Sequence, residues 1–144
     1  MDSNIKLLGL YLHLAKAAGI RQQLHVRDKL LIIAGIIAVR LELLTVAACC
    51  RHEVLSHNKQ HLIGRWQDLS TALPEDDFDS FLKQLQRRFP QEKAEQMLVT
   101  LGIEMGQEWE TYYSAEEYAA SLLGTTVDQL QTIYQREQTD PATG

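Results

Sequence analysis

Four side chains that can bind a metal ion or move a proton follow one another at intervals of four residues. They are Cys49, Glu53, His57 and His61. On a helix this interval places them along one stripe, where neighbours four residues apart can share one metal ion. Residues eight apart are about 12 Å distant and cannot share one. A single helix therefore supplies at most two ligands to such a site.

The residues predicted as metal ligands are Glu53, His57 and His61, and the further ligands would come from elsewhere, such as the other histidines of the chain (His13, His25 and His52). The sequence contains neither the His-Glu-x-x-His nor the Cys-x-x-Cys pattern, and it has no Gly-rich phosphate loop or nucleophile elbow. The favoured alternative is that His57 and His61 flank a helix end and bind its carbonyl groups. A metal-dependent enzyme is thus a second alternative. No cofactor and no catalytic residue is predicted.

The C-terminal region carries a different pattern. Ala120, Gly124 and Leu130 occupy the small, turn and apolar positions of two short helices within Glu116–Tyr134. This segment resembles the helix-turn-helix of DNA-binding regulators, although Thr125 replaces the usual Val, Ile or Leu. The resemblance implies that the second helix would face DNA with three polar side chains, Gln129, Thr132 and Arg136.

The negative charge of the C-terminal region argues against DNA binding by this segment. Between residues 103 and 144, Arg136 is the one basic residue against eight acidic ones. DNA affinity rests mainly on Lys and Arg that neutralise phosphates. A DNA-binding regulator that uses the 115–138 hairpin is therefore an alternative, and nucleic acid is not the expected partner. A modest basic patch, Lys83, Arg87 and Arg88, is the candidate for a protein interaction.

These side chains must be held by helices, and one stretch dominates their arrangement. From Leu30 to Val39 ten residues pass without a polar side chain, so a helix there is apolar on every side and must be buried. The helical pattern runs from about 26 to 57, with Gly35 or Thr45 as the expected kink. We predict an all-α fold of six or seven helices packed around this buried central helix, with a C-terminal helix-turn-helix-like hairpin.

The remaining segments also have helical spacing and end signals. Helices are predicted at 4–18, 60–72, 75–89 and 90–102. Ser114 and Thr126 each stand three residues before Glu or Gln, the capping-box pattern that starts a helix. Residues 1–138 are predicted as a single helical domain, and 139–144 as a frayed tail.

Composition limits the class of protein. The chain has 144 residues, 45% of them hydrophobic, which suits one globular domain with a real core. Residues 1–65 hold nine Lys and Arg against four Asp and Glu, whereas residues 66–144 hold five against fifteen. The favoured account is that these complementary halves face each other; the alternative is that the basic half meets an acidic partner.

The two cysteines, Cys49 and Cys50, are adjacent and look like buried thiols of a reducing compartment. The first residues lack the basic segment of a signal peptide, and Arg40 and Glu42 interrupt the one apolar stretch long enough to be a membrane span. We expect each of these two charges to pair with another helix. A cytoplasmic protein without membrane contact is expected.

The region from Cys50 to Ile103 contains Arg65-Trp66, the stripe Phe78 to Phe89, and Pro90-Gln-Glu-Lys. It resembles a family of small, uncharacterised all-α bacterial proteins of planctomycete type. This resemblance implies no activity and no site residues. The sequence as a whole favours a non-enzymatic protein-interaction or regulatory module, and the deeply apolar helix favours a homodimer.

Overall fold

The structure is a computed structural model and describes residues 2–106 and 108–139. This part of the chain contains eight α-helices, two short 3-10 helices and no β-strand. The all-α prediction is confirmed, with more helices than expected. They are α1 (Asp2–Ile20), α2 (Leu24–Arg40), α3 (Leu44–His57), α4 (Leu69–Ala72), α5 (Asp76–Arg88), α6 (Gln91–Thr100), α7 (Ala115–Leu122) and α8 (Val127–Thr139), with 3-10 helices at Leu62–Arg65 and Glu108–Thr111.

The prediction of one central helix from about 26 to 57 is wrong. The chain turns sharply between α2 and α3, at Glu42, whose φ of 62° is left-handed. The Leu43 N–H donates to the Ala38 carbonyl over 2.8 Å, which closes the end of α2 in the manner of a left-handed cap. A non-glycine residue in this conformation costs about 1 kcal/mol. The expected kink sites, Gly35 and Thr45, both lie inside helices.

α1 ends by the same device. The predicted helix at 4–18 continues through Gly19 to Ile20, and Gln22 takes the left-handed conformation two residues after the helix ends. The Gln23 N–H then donates to the Ala18 carbonyl over 2.9 Å. Both turns reverse the chain within three residues. α1, α2 and α3 consequently pack side by side.

The apolar run lies at the centre of the fold. Every apolar side chain from Leu30 to Ala38 is at most 8% exposed. α1 and α3 make the largest contacts with α2, and α4 and α5 add smaller ones. The run offers no polar face and must be buried, and helices of the same chain bury it. None of the helices described is long and apolar enough to cross a membrane.

Gly35 is the point of closest approach in this core. A Cβ added there would lie 2.5 Å from Leu69 Cδ1 and 3.3 Å from Cys50 Cβ. We expect Gly35→Ala to lower the unfolding free energy by about 1–3 kcal/mol, as overpacking does. Helix propensity alone predicts a gain of about 1 kcal/mol, so the two effects differ in sign. Urea denaturation measures the difference.

Gly19→Ala is the matched control for that substitution. Its added Cβ would meet only Arg27 Cδ, at 3.4 Å, so it should stabilise by about 0.5 kcal/mol through propensity. Stabilisation of both variants by equal amounts would contradict the close packing of α2 against Leu69.

Some of the other local predictions are confirmed, and one is wrong. The Ser114 hydroxyl accepts the Glu117 N–H, and the Thr126 hydroxyl accepts the Gln129 N–H, as the capping pattern predicts. Both cysteines are free and buried. The predicted helix at 60–72 is wrong, because Asp68 accepts the Thr71 N–H and starts the separate short helix α4. The predicted tail, 139–144, lies outside the described residues except for Thr139, the last residue of α8.

Arg40 and Glu42 were expected to pair with other helices. Both are exposed instead, and the ion pairs among the described residues include neither of them. They lie at the end of α2 and in the turn after it, where the chain reaches the surface. Had α2 and α3 formed one helix, the two charges would have sat in its middle. The break in the helix therefore removes the need for buried partners.

Candidate functional site

A buried aspartate at the start of α2 meets a histidine at the end of α3. Asp28 is 4% exposed, and its Oδ2 lies 2.5 Å from His57 Nδ1. Its other oxygen, Oδ1, accepts a hydrogen bond from Arg27 Nη2 over 3.1 Å. Two residues 29 positions apart come together because the turn at Glu42 folds α3 back along α2. We call Arg27, Asp28 and His57 the α2–α3 cluster.

The neighbours of this cluster complete its charge arrangement. Arg27 also donates to the Glu53 carbonyl over 3.3 Å, whereas its buried Nε has no hydrogen-bond partner among the residues that the structure describes. The His25 ring packs edge-on against His57, with centroids 5.3 Å apart. A carboxylate buried this deeply needs a cation and hydrogen-bond donors, and the cluster supplies both.

The two histidines of the predicted metal-binding stripe have different hydrogen-bond partners. His57 binds Asp28, whereas His61 Nδ1 accepts the Ile63 N–H over 3.2 Å and its ring packs against Phe81. The hydrogen bonds of the described residues join neither ring to a helix carbonyl, which differs from the favoured interpretation. Burial lowers the pKa of His61, although the charge of Asp28 opposes the shift.

Over residues 2–106 and 108–139, no group of three or more His, Cys, Asp or Glu side chains is placed to hold a metal ion. A site formed by Glu53, His57 and His61 stays a prediction. An Asp–His pair can also orient an imidazole as a general base. In the part of the chain that the structure describes, however, no hydrogen bond joins His57 to a Ser, Thr or Cys nucleophile.

A second buried charge lies between α3 and α8. Glu137 is 9% exposed, and its Oε2 lies 3.3 Å from Arg51 Nη1. Arg51 also donates to the Trp66 carbonyl over 2.7 Å. Sequence reasoning missed this pair, although Glu137 continues the stripe of Leu130 and Ile133 on α8 and so had a signal. We call Arg51 and Glu137 the α3–α8 cluster.

A small cavity of about 220 Å³ adjoins the α3–α8 cluster and is lined by Asp68, Glu137 and Tyr134 among others. Burial raises the pKa of Glu137 to about 7, although the charge of Arg51 opposes the shift. Burial also acts to raise the pKa of Asp68, but hydrogen bonds from Thr71 and Gln138 outweigh it and lower that pKa. The two carboxyl groups consequently titrate in different ranges of pH.

Ion pairs connect the basic and acidic halves of the sequence. Two join a cation of residues 1–65 to an acid of residues 66–144: Arg51 with Glu137, and Arg65 with Asp77 at 3.4 Å. His13 Nε2 also lies 3.2 Å from Glu108 Oε1, a contact that is an ion pair when the imidazole is protonated. Within the described residues the two halves therefore face each other, as the favoured account of the charge asymmetry predicts.

The polar residues predicted to face DNA are all exposed, on one side of α8. Two of them are engaged locally, since Gln129 accepts from the Thr125 hydroxyl and the Thr132 hydroxyl donates to the Asp128 carbonyl. Gly124, with a φ of 72°, forms the turn between α7 and α8. Glu116, in the first turn of α7, accepts from the Thr45 hydroxyl and ties the hairpin to α3.

The predicted interaction patch also lies at the surface. Lys83, Arg87 and Arg88 are exposed on α5, and Lys83 Nζ lies 3.0 Å from Asp79 Oδ2 one turn earlier. Arg87 and Arg88 occupy the last turn, where a cation is favourable to the helix dipole.

Comparison with protein-family models, curated proteins and solved structures finds no match to this chain. The resemblances to planctomycete-type proteins and to the helix-turn-helix stay predictions.

Proposed function

We propose that this protein is a non-enzymatic interaction or regulatory module whose C-terminal hairpin, α7 and α8, is the responsive element. The observation that carries the proposal is the buried carboxyl group of Glu137 at the contact between α3 and α8. The side chains of Glu137 and Arg51 are only 5% and 14% exposed. A buried ion pair of this kind is a weak source of stability, because removing both charges from water offsets their attraction.

A charge kept at a stability cost supports a functional role over a structural one. Since the pKa of Glu137 is about 7, the carboxyl group gains or loses its proton near neutral pH. Ionised Glu137 is poorly solvated between the helices, whereas the protonated form avoids most of that cost. The stability of the contact between α8 and α3 therefore depends on pH near neutrality, which suits a regulatory module.

Glu137→Gln tests the proposal through pH. A folded-state pKa raised above the ordinary value of 4.5 stabilises the fold below pH 4.5, and this contribution is lost as pH rises through 7. Between pH 5 and 8 we expect Glu137 to remove about 2 kcal/mol of unfolding free energy. Glu137→Gln should abolish that loss, so the difference in unfolding free energy between wild type and variant should change by about 2 kcal/mol from pH 5 to pH 8, as measured by urea denaturation at each pH.

The difference in unfolding free energy between wild type and Glu137→Gln isolates the contribution of Glu137, because Asp68 and His61 titrate in both proteins. Glu104→Gln is the control, since it makes the same chemical change at an exposed side chain outside the α3–α8 cluster. A Glu137→Gln variant that keeps the wild-type pH dependence would overturn the proposal.

We also propose a homodimer, on different grounds from those in the sequence. The apolar run of α2 is covered within one chain, so it no longer requires a second copy. Support comes instead from large apolar side chains at the surface: Val99 is 79% exposed and Tyr113 is 97% exposed. Sedimentation equilibrium tests the dimer, and a single monomeric species at 100-fold different loading concentrations would exclude it.

The basic patch of Lys83, Arg87 and Arg88 offers a separate surface for an acidic protein partner.

A DNA-binding regulator is a second candidate, supported by the exposure of Gln129, Thr132 and Arg136 on one helix. Phosphate contacts would make its retention on duplex DNA strongly salt-dependent. Arg136→Gln should then weaken retention, whereas Lys59→Gln, in the loop after α3, should not. Absence of retention at low salt would exclude this candidate.

A further inference from the structure

We propose that a groove between α1, α2 and α6 binds an amphipathic carboxylate, the anion of a medium-length linear alkyl acid. The groove has a volume of about 350 Å³, which falls in the range of small-molecule sites. None of the residues that line it belongs to either charge cluster, and the inference does not depend on the proposed function.

The floor and one wall of the groove are apolar. Leu14 and Ala18 of α1 and Leu30 of α2 form the floor and are buried. Met97 of α6 and Leu101, directly after this helix, form the wall. The groove is open because α1 presents two alanines, Ala17 and Ala18, where larger side chains would fill the space. An alkyl chain laid here leaves water and gains about 0.8 kcal/mol for each buried methylene, which is a fourfold gain in affinity.

The rim carries charge of one sign. Arg21 and Lys93 line the groove, the other polar lining residues are the neutral Gln23, Gln96 and Thr100, and no acidic side chain is among them. Lys93 Nζ lies 5.5 Å from the centroid of the Phe89 ring, a cation–π contact that holds it at the end of α6 nearest α5. In a chain of net charge −5, an acid-free rim with two cations favours an anionic head group.

A second cavity on the opposite side of α1 is a poorer match for this ligand. Its volume is similar, about 340 Å³, and it is lined by Lys16 and Arg27 but also by Glu53. Arg27 is already paired with the buried Asp28. Arg27 is therefore largely neutralised, and the negative charge of Glu53 offsets that of Lys16, so we assign the ligand to the first groove.

Isothermal titration calorimetry with hexanoate, octanoate and decanoate, each below its micelle concentration, tests the class of ligand. We expect Kd to fall about fourfold per methylene until the groove is filled. Decanol, which lacks the charge, should bind about tenfold more weakly, and decylamine more weakly still. Equal affinity for the acid, alcohol and amine, an affinity independent of chain length, or no binding of decanoate would each overturn the proposal.

Variants locate the site. Ala17→Phe should fill the groove and weaken decanoate binding at least tenfold, and Thr100→Phe, at an exposed lining position, gives a second block should the first variant fail to fold. The double variant Arg21→Gln with Lys93→Gln should weaken binding about tenfold. Lys16→Gln, an exposed cation on the same helix, is the matched control.

Two further outcomes would also overturn the assignment. Loss of binding in Lys16→Gln but not in the double variant would place the ligand in the second cavity. Loss of self-association in Ala17→Phe, without a change in decanoate affinity, would show that a second copy occupies the groove.

Discussion

Replacing Ile36 with alanine is expected to lower the unfolding free energy by about 2–5 kcal/mol. Ile36 is 1% exposed and lies near the middle of the apolar run of α2. The loss combines the removed apolar surface with the cavity left behind, which the rigid surroundings fill only in part. Urea denaturation measures this loss. The slope of the unfolding free energy against urea concentration should be the same in both proteins.

Ile20→Ala is the control for Ile36→Ala. It makes the same chemical change at the end of α1, where the side chain is 74% exposed, so the expected change is within about 0.5 kcal/mol. If Ile36→Ala cost no more than Ile20→Ala, α2 would not form the centre of the core.

Asp28→Asn is expected to lower the unfolding free energy by about 3 kcal/mol at pH 7. The substitution keeps the size of the side chain but removes the negative charge, and it leaves Arg27 and His57 at a poorly solvated contact without their anion. Breaking one partner of a buried pair costs more than the intact pair contributes, because the remaining charge stays buried.

The exposed pair of Arg65 and Asp77 provides the comparison. Its two side chains are 54% and 70% exposed, so Asp77→Asn should change stability by less than about 0.5 kcal/mol. A double-mutant cycle between Asp28 and His57 should give a coupling energy of at least about 1 kcal/mol. No coupling, or a loss no larger than that of Asp77→Asn, would contradict the role of the α2–α3 cluster.

The helices could be predicted where the sequence pattern is periodic or capped. Ser114 and Thr126 mark their helix starts, and the apolar run of α2 requires burial whatever surrounds it. The turn at Glu42 could not be predicted in the same way. The turn contains no glycine or proline. A glutamate in the left-handed conformation is tolerated there because Leu41 and Leu43 pack against the core of the folded chain.

That missed turn also explains what was missed in the candidate site. In one long helix, Asp28 and His57 would lie near opposite ends, too far apart to meet. With α2 and α3 folded against each other, the two side chains meet. Glu137 differs, because its position in the apolar stripe of α8 was visible, but its partner Arg51 is 86 residues away in the sequence.

Native-state hydrogen exchange followed residue by residue tests the central claim, that α2 is the buried centre of the fold. We predict that the amides of residues 33–38 exchange only through global unfolding, with a protection free energy equal to that from urea denaturation. α8, held by the α3–α8 cluster near the surface, should open at lower free energy. Exchange of α2 through local opening, at a free energy below that of α8, would contradict the account.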